Sequence, residues 1–262
     1  MSKIDSLQTF INRLEASYHQ MRHAFAPPIP FTLGNYVQFR HKEKSDSLLC
    51  YLKGVKQVST LNAAIILLKH GYVQEVNALC RMADDFYIET MFILFSQNDI
   101  LNKKQIPFLE DFYQEEFENA NNPIKSPQTR KTVSRATLNV AFGQILKSEL
   151  NPHDAQTIAY TIHKSFSGYV HGGYPHIMEM YGGSPMRFQM KGMLGTCRIS
   201  EGEDILIDNI YKAIMLAELT SHKLALSNMK KEIHNIRIDF ESHFKLRTQE
   251  SPEKIVQREK KK

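Results

Sequence analysis

Residues 151–183 read NPHDAQTIAYTIHKSFSGYVHGGYPHIMEMYGG, and this stretch decides what kind of chain surrounds it. Asn151 can cap free amide groups, Pro152 suits the first helical position, and Asp154 favours the positive end of a helix. Ala155, Ile158, Ala159, Ile162, Phe166, Tyr169 and Val170 then recur at three- and four-residue steps, which is one helical face. His163, Ser167 and His171 step by four and form a stripe beside that face. Gly172 and Gly173 predict the stop, because glycine takes the left-handed cap conformation readily. Pro175 predicts a short second helix, closed by Gly182 and Gly183.

Working outward, the same helical period governs most of the chain. Ile4, Leu7, Ile11, Leu14, Tyr18 and Met21 share one face of a first helix that Pro27, Pro28 and Pro30 end. Residues 31–40 are the one candidate for a short strand. A helix with Leu48, Leu52, Val55, Leu61, Ile65 and Leu68 follows, ended by Gly71. The next, from Tyr72 to Ser96, is apolar almost all round, so it belongs at the centre of a bundle. It also carries Arg81, Asp84, Asp85 and Glu89, and charges on a central helix are costly unless paired. A helix is expected over 107–120, a polar mobile loop over 121–131 and another helix over 132–150.

Residues 184–197, rich in Met and Gly, read as irregular chain crossing the bundle, with the methionines as gap fillers. Ser200 and Glu203 have the spacing of a capping box. Beyond Gly202 no glycine or proline interrupts the pattern to about Arg247. A helix of about 45 residues would span roughly 65 Å, so its second half should project, bend or pair with another chain. The expectation is an all-α fold, with a helical bundle over 1–200, a long C-terminal helix over 201–247 and a basic, disordered tail over 248–262.

The composition narrows the function classes. With 262 residues and 42% hydrophobic content the chain can bury a sizeable core. No run of about 18 apolar residues occurs, so no membrane partner is expected. The first residues, MSKIDSLQTF, lack the apolar centre of a secretory signal. The three cysteines, Cys50, Cys80 and Cys197, show neither a disulfide framework nor a zinc spacing, so a reducing cytoplasm is expected. A net charge of +5 permits an acidic partner without demanding one. Phosphate-cradling glycine loops, a dinucleotide fingerprint, His-Glu-x-x-His and Gly-x-Ser-x-Gly are all missing, which argues against standard nucleotide-hydrolysing or acyl-transfer chemistry.

Three constellations remain. Arg81, Asp84, Asp85 and Glu89 can meet Ser167 and His171 if their two helices pack together. Histidine moves protons near neutral pH and arginine holds a phosphate through paired hydrogen bonds, which suits RNA cleavage by its own 2′-hydroxyl. The plainer reading is that Arg81 and Asp85, one turn apart, neutralise each other while His171 sits favourably at its helix end. His171, His176 and Glu179 with Asp84 or Glu89 form the second, a metal-binding alternative, although di-iron bundles use Glu-x-x-His twice and here the order is His176-x-x-Glu179 once. The third is a basic helix whose Lys230, Lys231 and Arg237, with Lys164 elsewhere, can neutralise phosphates or simply form a solvated face.

Two of these segments, LLKHGYVQEVNALCRMADDFYIETMFI at 67–93 and YTIHKSFSGYVHGGY at 160–174, resemble the HEPN-like helical superfamily. The resemblance spans about residues 55–173 and is similar to bacterial members with an Arg-and-acid helix beside a Ser-x-x-x-His helix. It implies a HEPN-like core over about 45–183. It further implies a metal-independent RNase of bacterial defence or RNA metabolism, usually dimeric and without a cofactor. The family's signature runs arginine, polar residue, three positions, histidine. Here His171 takes the histidine place and Ser167 the polar one, while Phe166 stands in the arginine place. Arg81 or Lys164 would have to substitute, or the domain is a non-catalytic scaffold. The implied catalytic set is thus His171, Arg81, Ser167, Asp85 and Glu89. The partners expected are RNA or another nucleic acid, and a second copy or a helical protein.

Overall fold

The computed structural model describes residues 2–33, 36–95, 99–115, 117, 122–126, 133–145 and 152–246. The cap Asn151, the tail 248–262 and parts of the expected loop 121–131 and helix 132–150 lie outside the described residues. Within them the chain is a helical bundle, in order α1 (Lys3–Met21), β1 (Ile29–Leu33), β2 (Tyr36–Arg40), α2 (Asp46–Lys69), α3 (Val73–Phe95), α4 (Asp99–Phe112), α5 (Arg135–Ile145), α6 (Pro152–His171), α7 (Tyr174–Met178), β3 (Tyr181–Gly182), β4 (Arg187–Phe188), α8 (Arg198–Lys223) and α9 (Ser227–Phe244). No helix among the described residues is long and apolar enough to cross a membrane.

Helix starts follow local chemistry. Ser2 accepts from the Asp5 amide at 3.2 Å and Ser45 accepts from the Leu48 amide at 3.1 Å, each satisfying an otherwise unpaired N–H at a helix start. The central layer is α2, α3 and α8. Leu61, Ile65 and Leu68 of α2, Val76, Cys80 and Ala83 of α3 and Leu206, Ile210 and Ile214 of α8 are all buried in one core, which α1 and α9 close from one side. A second apolar cluster joins the other end of α3, through Ile88, Phe92 and Ile93, to Phe108 of α4 and Leu138 of α5. Helix α6 packs outside this, against α3 and α5.

Four expectations need revision. The strand candidate is an antiparallel hairpin, with Ile29 opposite Arg40 and Leu33 opposite Tyr36. Its first strand contains Pro30, which masks the alternation in sequence. The helix expected at Pro107 starts at Asp99 and passes through the proline. The carbonyl that Pro107 cannot serve belongs to the exposed Lys103, where water can serve it. Ser200 is inside α8 rather than at its cap, because the helix begins at Arg198, whose side chain pairs with Glu201 at 2.7 Å.

The uninterrupted helix over 201–247 is two helices. Ala225 takes the left-handed conformation, with φ 55°. The Leu226 amide reaches back to the Ser221 carbonyl at 3.0 Å. This is the six-to-one bond of a Schellman stop, with alanine where glycine is usual. Leu224 and Leu226, on either side, pack against the core, and α9 runs back along α8 and α1.

Candidate functional site

The helical repeat of α3 places Arg81, Asp84 and Asp85 on the side that faces α5, α6 and α8. Arg81 pairs with Asp85 one turn on, and Arg135 of α5 pairs with the other oxygen of the same carboxylate. Lys212 of α8 binds Asp84 at 2.6 Å, and Arg135 approaches the second Asp84 oxygen at 3.9 Å. Arg81 also donates to Nε2 of His163 on α6. Two carboxylates therefore tie three helices together, and Arg81 adds the fourth, α6, through His163. Arg81 donates into Nε2, which needs a lone pair there, so His163 is neutral in this arrangement. Burial pushes the His163 imidazole below its usual range, and the guanidiniums of Arg81 and Arg135 add to the effect.

Space around the cluster is small. The cleft lined by Cys80, Arg81, Asp84, Ile162, Phe166, Asn209 and Lys212 holds about 20 Å³, room for about one water. The larger hollows lie elsewhere, about 550 Å³ beside α4 and about 340 Å³ between α1 and α2, and neither is lined by a member of the cluster.

The expected site residues therefore separate. Arg81 and Asp85 share the cluster, joined by Asp84. Glu89 turns away to Lys53 of α2, whose ammonium lies over the Phe86 and Phe112 rings at 5.3 and 5.1 Å. Ser167 is half-buried on α6 and His171 is exposed at its C-terminal end. The imidazole that Arg81 reaches is His163, not His171. Helix α6 seats its middle on α3, and eight residues of helix carry His171 about 12 Å further along the axis. Lys164 and Lys231 are exposed and Lys230 is half-buried.

Arg237 is no surface cation. Its side chain is 2% exposed, held by Glu218 at 2.9 Å and Glu241 at 3.2 Å. Tyr211 donates to Glu241 at 2.7 Å and His234 donates through Nδ1 to Glu218 at 3.0 Å. The apolar seam of α8 and α9 carries these carboxylates inward, and a guanidinium is needed there to neutralise them.

The residues just beyond α6 have structural partners. His176 donates from Nε2 to the Ser165 carbonyl at 3.0 Å and lies edge-on to Tyr169, with 4.3 Å between ring centroids. A β-carbon on Gly168 would fall 2.0 Å from the His176 ring, so glycine there lets α7 fold onto α6. Gly172, with φ 63°, makes the reversal. Glu179 accepts from Tyr169 at 3.2 Å and from Gln74 of α3 at 3.1 Å. Among the described residues no three metal-ligating side chains come together.

Residues 158–194 also leave an apolar face open. Ile158, Ile162 and Val170 of α6 are exposed, as are Tyr174, Phe188 and Met190 beyond it, and Tyr174 and Met190 are more than three-quarters so. The four exposed aromatics of this stretch, Tyr160, Tyr174, Tyr181 and Phe188, alone leave roughly 400 Å² to solvent.

Arg135 and Lys212 were not visible as site residues, because no sequence spacing relates either to Arg81. No known family, curated protein or solved structure matches the chain.

Proposed function

We propose that this chain is a non-catalytic helical interaction module that docks an amphipathic helix of a protein partner on the exposed apolar side chains of α6 and the segment after it. The observation that supports this most is the exposed apolar stripe Ile158, Ile162 and Val170, flanked by Tyr174 and the β3–β4 hairpin. A helix with apolar residues at three- and four-residue steps fits such a stripe. The exposed charges around it are mainly basic, Lys164, Arg187 and Lys191 against Asp154. The partner helix is therefore acidic along its margins. The paired state of Arg81, Asp84, Asp85 and Arg135 supports the same reading, since these groups brace the face from behind.

The test uses a synthetic amphipathic helix with leucine on one face and glutamate beside it, followed by fluorescence anisotropy. The chain binds it, and Ile162→Asp weakens binding at least tenfold while the helical circular dichroism is unchanged. Equal affinity for both proteins, or no binding to either, rejects the reading.

A second reading keeps the HEPN-like resemblance and RNA as substrate. The observation that favours it is the His163 imidazole beside two guanidiniums: with Arg81 turned from His163 Nε2 onto the phosphate, the freed Nε2 would take the 2′-hydroxyl proton while Arg81 and Arg135 steady the phosphate. RNA incubated with the chain in EDTA tests it. Cleavage abolished by His163→Ala supports this version, cleavage abolished only by His171→Ala restores the arrangement expected from the family's signature, and intact RNA leaves the scaffold.

A further inference from the structure

Among the described residues the β1–β2 hairpin has two strands and no third, and a two-stranded ribbon is marginal in water by itself. Its register shows which edge is usable. The two-residue connection makes Leu33–Tyr36 the closing hydrogen-bonded pair, so Phe31–Gln38 and Ile29–Arg40 are bonded as well. Pro30–Phe39 and Thr32–Val37 are then the unbonded pairs, consistent with Pro30 having no N–H to give. The backbone groups of Pro30 and Thr32 point out of one edge, and those of Val37 and Phe39 out of the other. Proline spoils the first edge for a further strand. Among the described residues the second edge is open, with Tyr36, Val37 and Phe39 each 62–75% exposed beside it. The Phe39 carbonyl accepts from the neighbouring Arg40 guanidinium at 2.9 Å, which leaves its second lone pair for a strand.

We infer that the β2 edge pairs antiparallel with β2 of a second copy of this chain, about a two-fold axis at Gln38, to give a four-stranded sheet. This register joins Val37 to Phe39 of the partner copy twice, using the outward backbone groups of both. Each pair sets a β-branched side chain against an aromatic one, a favourable cross-strand combination. It also sets Tyr36 opposite Arg40, a cation against an aromatic face, and places no like charges opposite each other. The Arg40 charge is compensated by Glu115, at 2.5 and 2.7 Å, and its guanidinium lies over the Phe31 ring of β1 at 5.5 Å. A strand of the chain itself is the occupant that meets all these conditions at once. The two aromatics of β2, Tyr36 and Phe39, leave roughly 270 Å² uncovered per copy, which suits the small, reversible class of interfaces below about 1,200 Å² in total. The dimer is therefore concentration-dependent.

Sedimentation of the full chain across a wide concentration range tests this, with two sets of variants. Val37→Pro removes an outward N–H without touching the ribbon's own bonds, and raises the dissociation constant at least tenfold with the helical signal intact. In a Cys197→Ser background, Gln38→Cys forms an intermolecular disulfide under glutathione buffer, since the two-fold places residue 38 opposite itself, while Thr32→Cys does not. A monomer at every concentration overturns the inference. So does a dimer indifferent to Val37→Pro, or one cross-linked through Thr32→Cys instead. Ile162→Asp leaves this equilibrium unchanged, so the helix-docking face and the strand edge fail or stand separately.

Discussion

Arg81 donates to His163 across the contact between α3 and α6, and so holds the one histidine of the cluster in its neutral form. The same arginine is bound to Asp85, so it joins two helices while its charge is compensated.

This arrangement fixes a direction of pH dependence. The folded pKa of His163 is lowered from 6.5, so between the two values the unfolded chain binds more protons than the folded one. The stabilising contribution is complete above the unfolded value and is lost as pH falls through the folded one. Thermal melts should show wild-type protein losing stability from neutral to mildly acidic pH more steeply than His163→Gln. Parallel curves would remove His163 as the cause.

The buried guanidinium of Arg237 predicts a large asymmetry. Arg237→Ala leaves Glu218 and Glu241 without their counter-charge and should cost about 3–5 kcal/mol in urea unfolding. Replacing all three together with Met and Leu should recover most of that loss, because the desolvation cost goes with the charges.

Ala225 holds a conformation that costs a side chain roughly 1–2 kcal/mol. Ala225→Gly should therefore stabilise the chain by about 0.5–1 kcal/mol after the greater chain entropy of glycine is subtracted. The urea midpoint would rise with no change of slope. A lower midpoint would mean that the break is held by something other than local geometry.

The thiols should divide sharply. Cys50 and Cys80 are buried, and burial pushes each up to about 12, whereas Cys197 is exposed. An aromatic disulfide reagent at neutral pH should titrate one thiol quickly, and the other two only after denaturation. Cys197→Ser should abolish the fast reaction.

The helical framework was legible because helices announce themselves locally. Gly71 and Gly172 mark ends by their own chemistry, and the apolar surround of α3 places it centrally before any contact is known. The break at Ala225 was not legible, since no glycine or proline occurs there and the stop depends on Leu224 and Leu226 finding the core. The hairpin was half visible, because Pro30 hides the alternation of its first strand. The candidate cluster was legible in its α3 half alone. Arg81, Asp84 and Asp85 read as groups that need partners, but Arg135 and Lys212 are supplied by packing between distant segments. His163 and His171 lie on the same stripe of α6, and periodicity cannot say which turn sits on α3. Arg237 reads as a solvated charge because its two carboxylates are four and nineteen residues away.

The turn at Ala225 also settles where the last described helix leads. It sends α9 back antiparallel to α1, so that Phe244 rests on Phe10, with ring centroids 6.1 Å apart, and Arg13 reaches Asp239 at 2.8 Å. Phe10 is only about 10 Å of helix from the start of α1. The helices thus close into a ring, and a short peptide joining residue 246 to residue 2 would let the chain be cut open elsewhere without dismantling the core. Connectivity is then interchangeable in this architecture, and a circular permutant should retain its helical content.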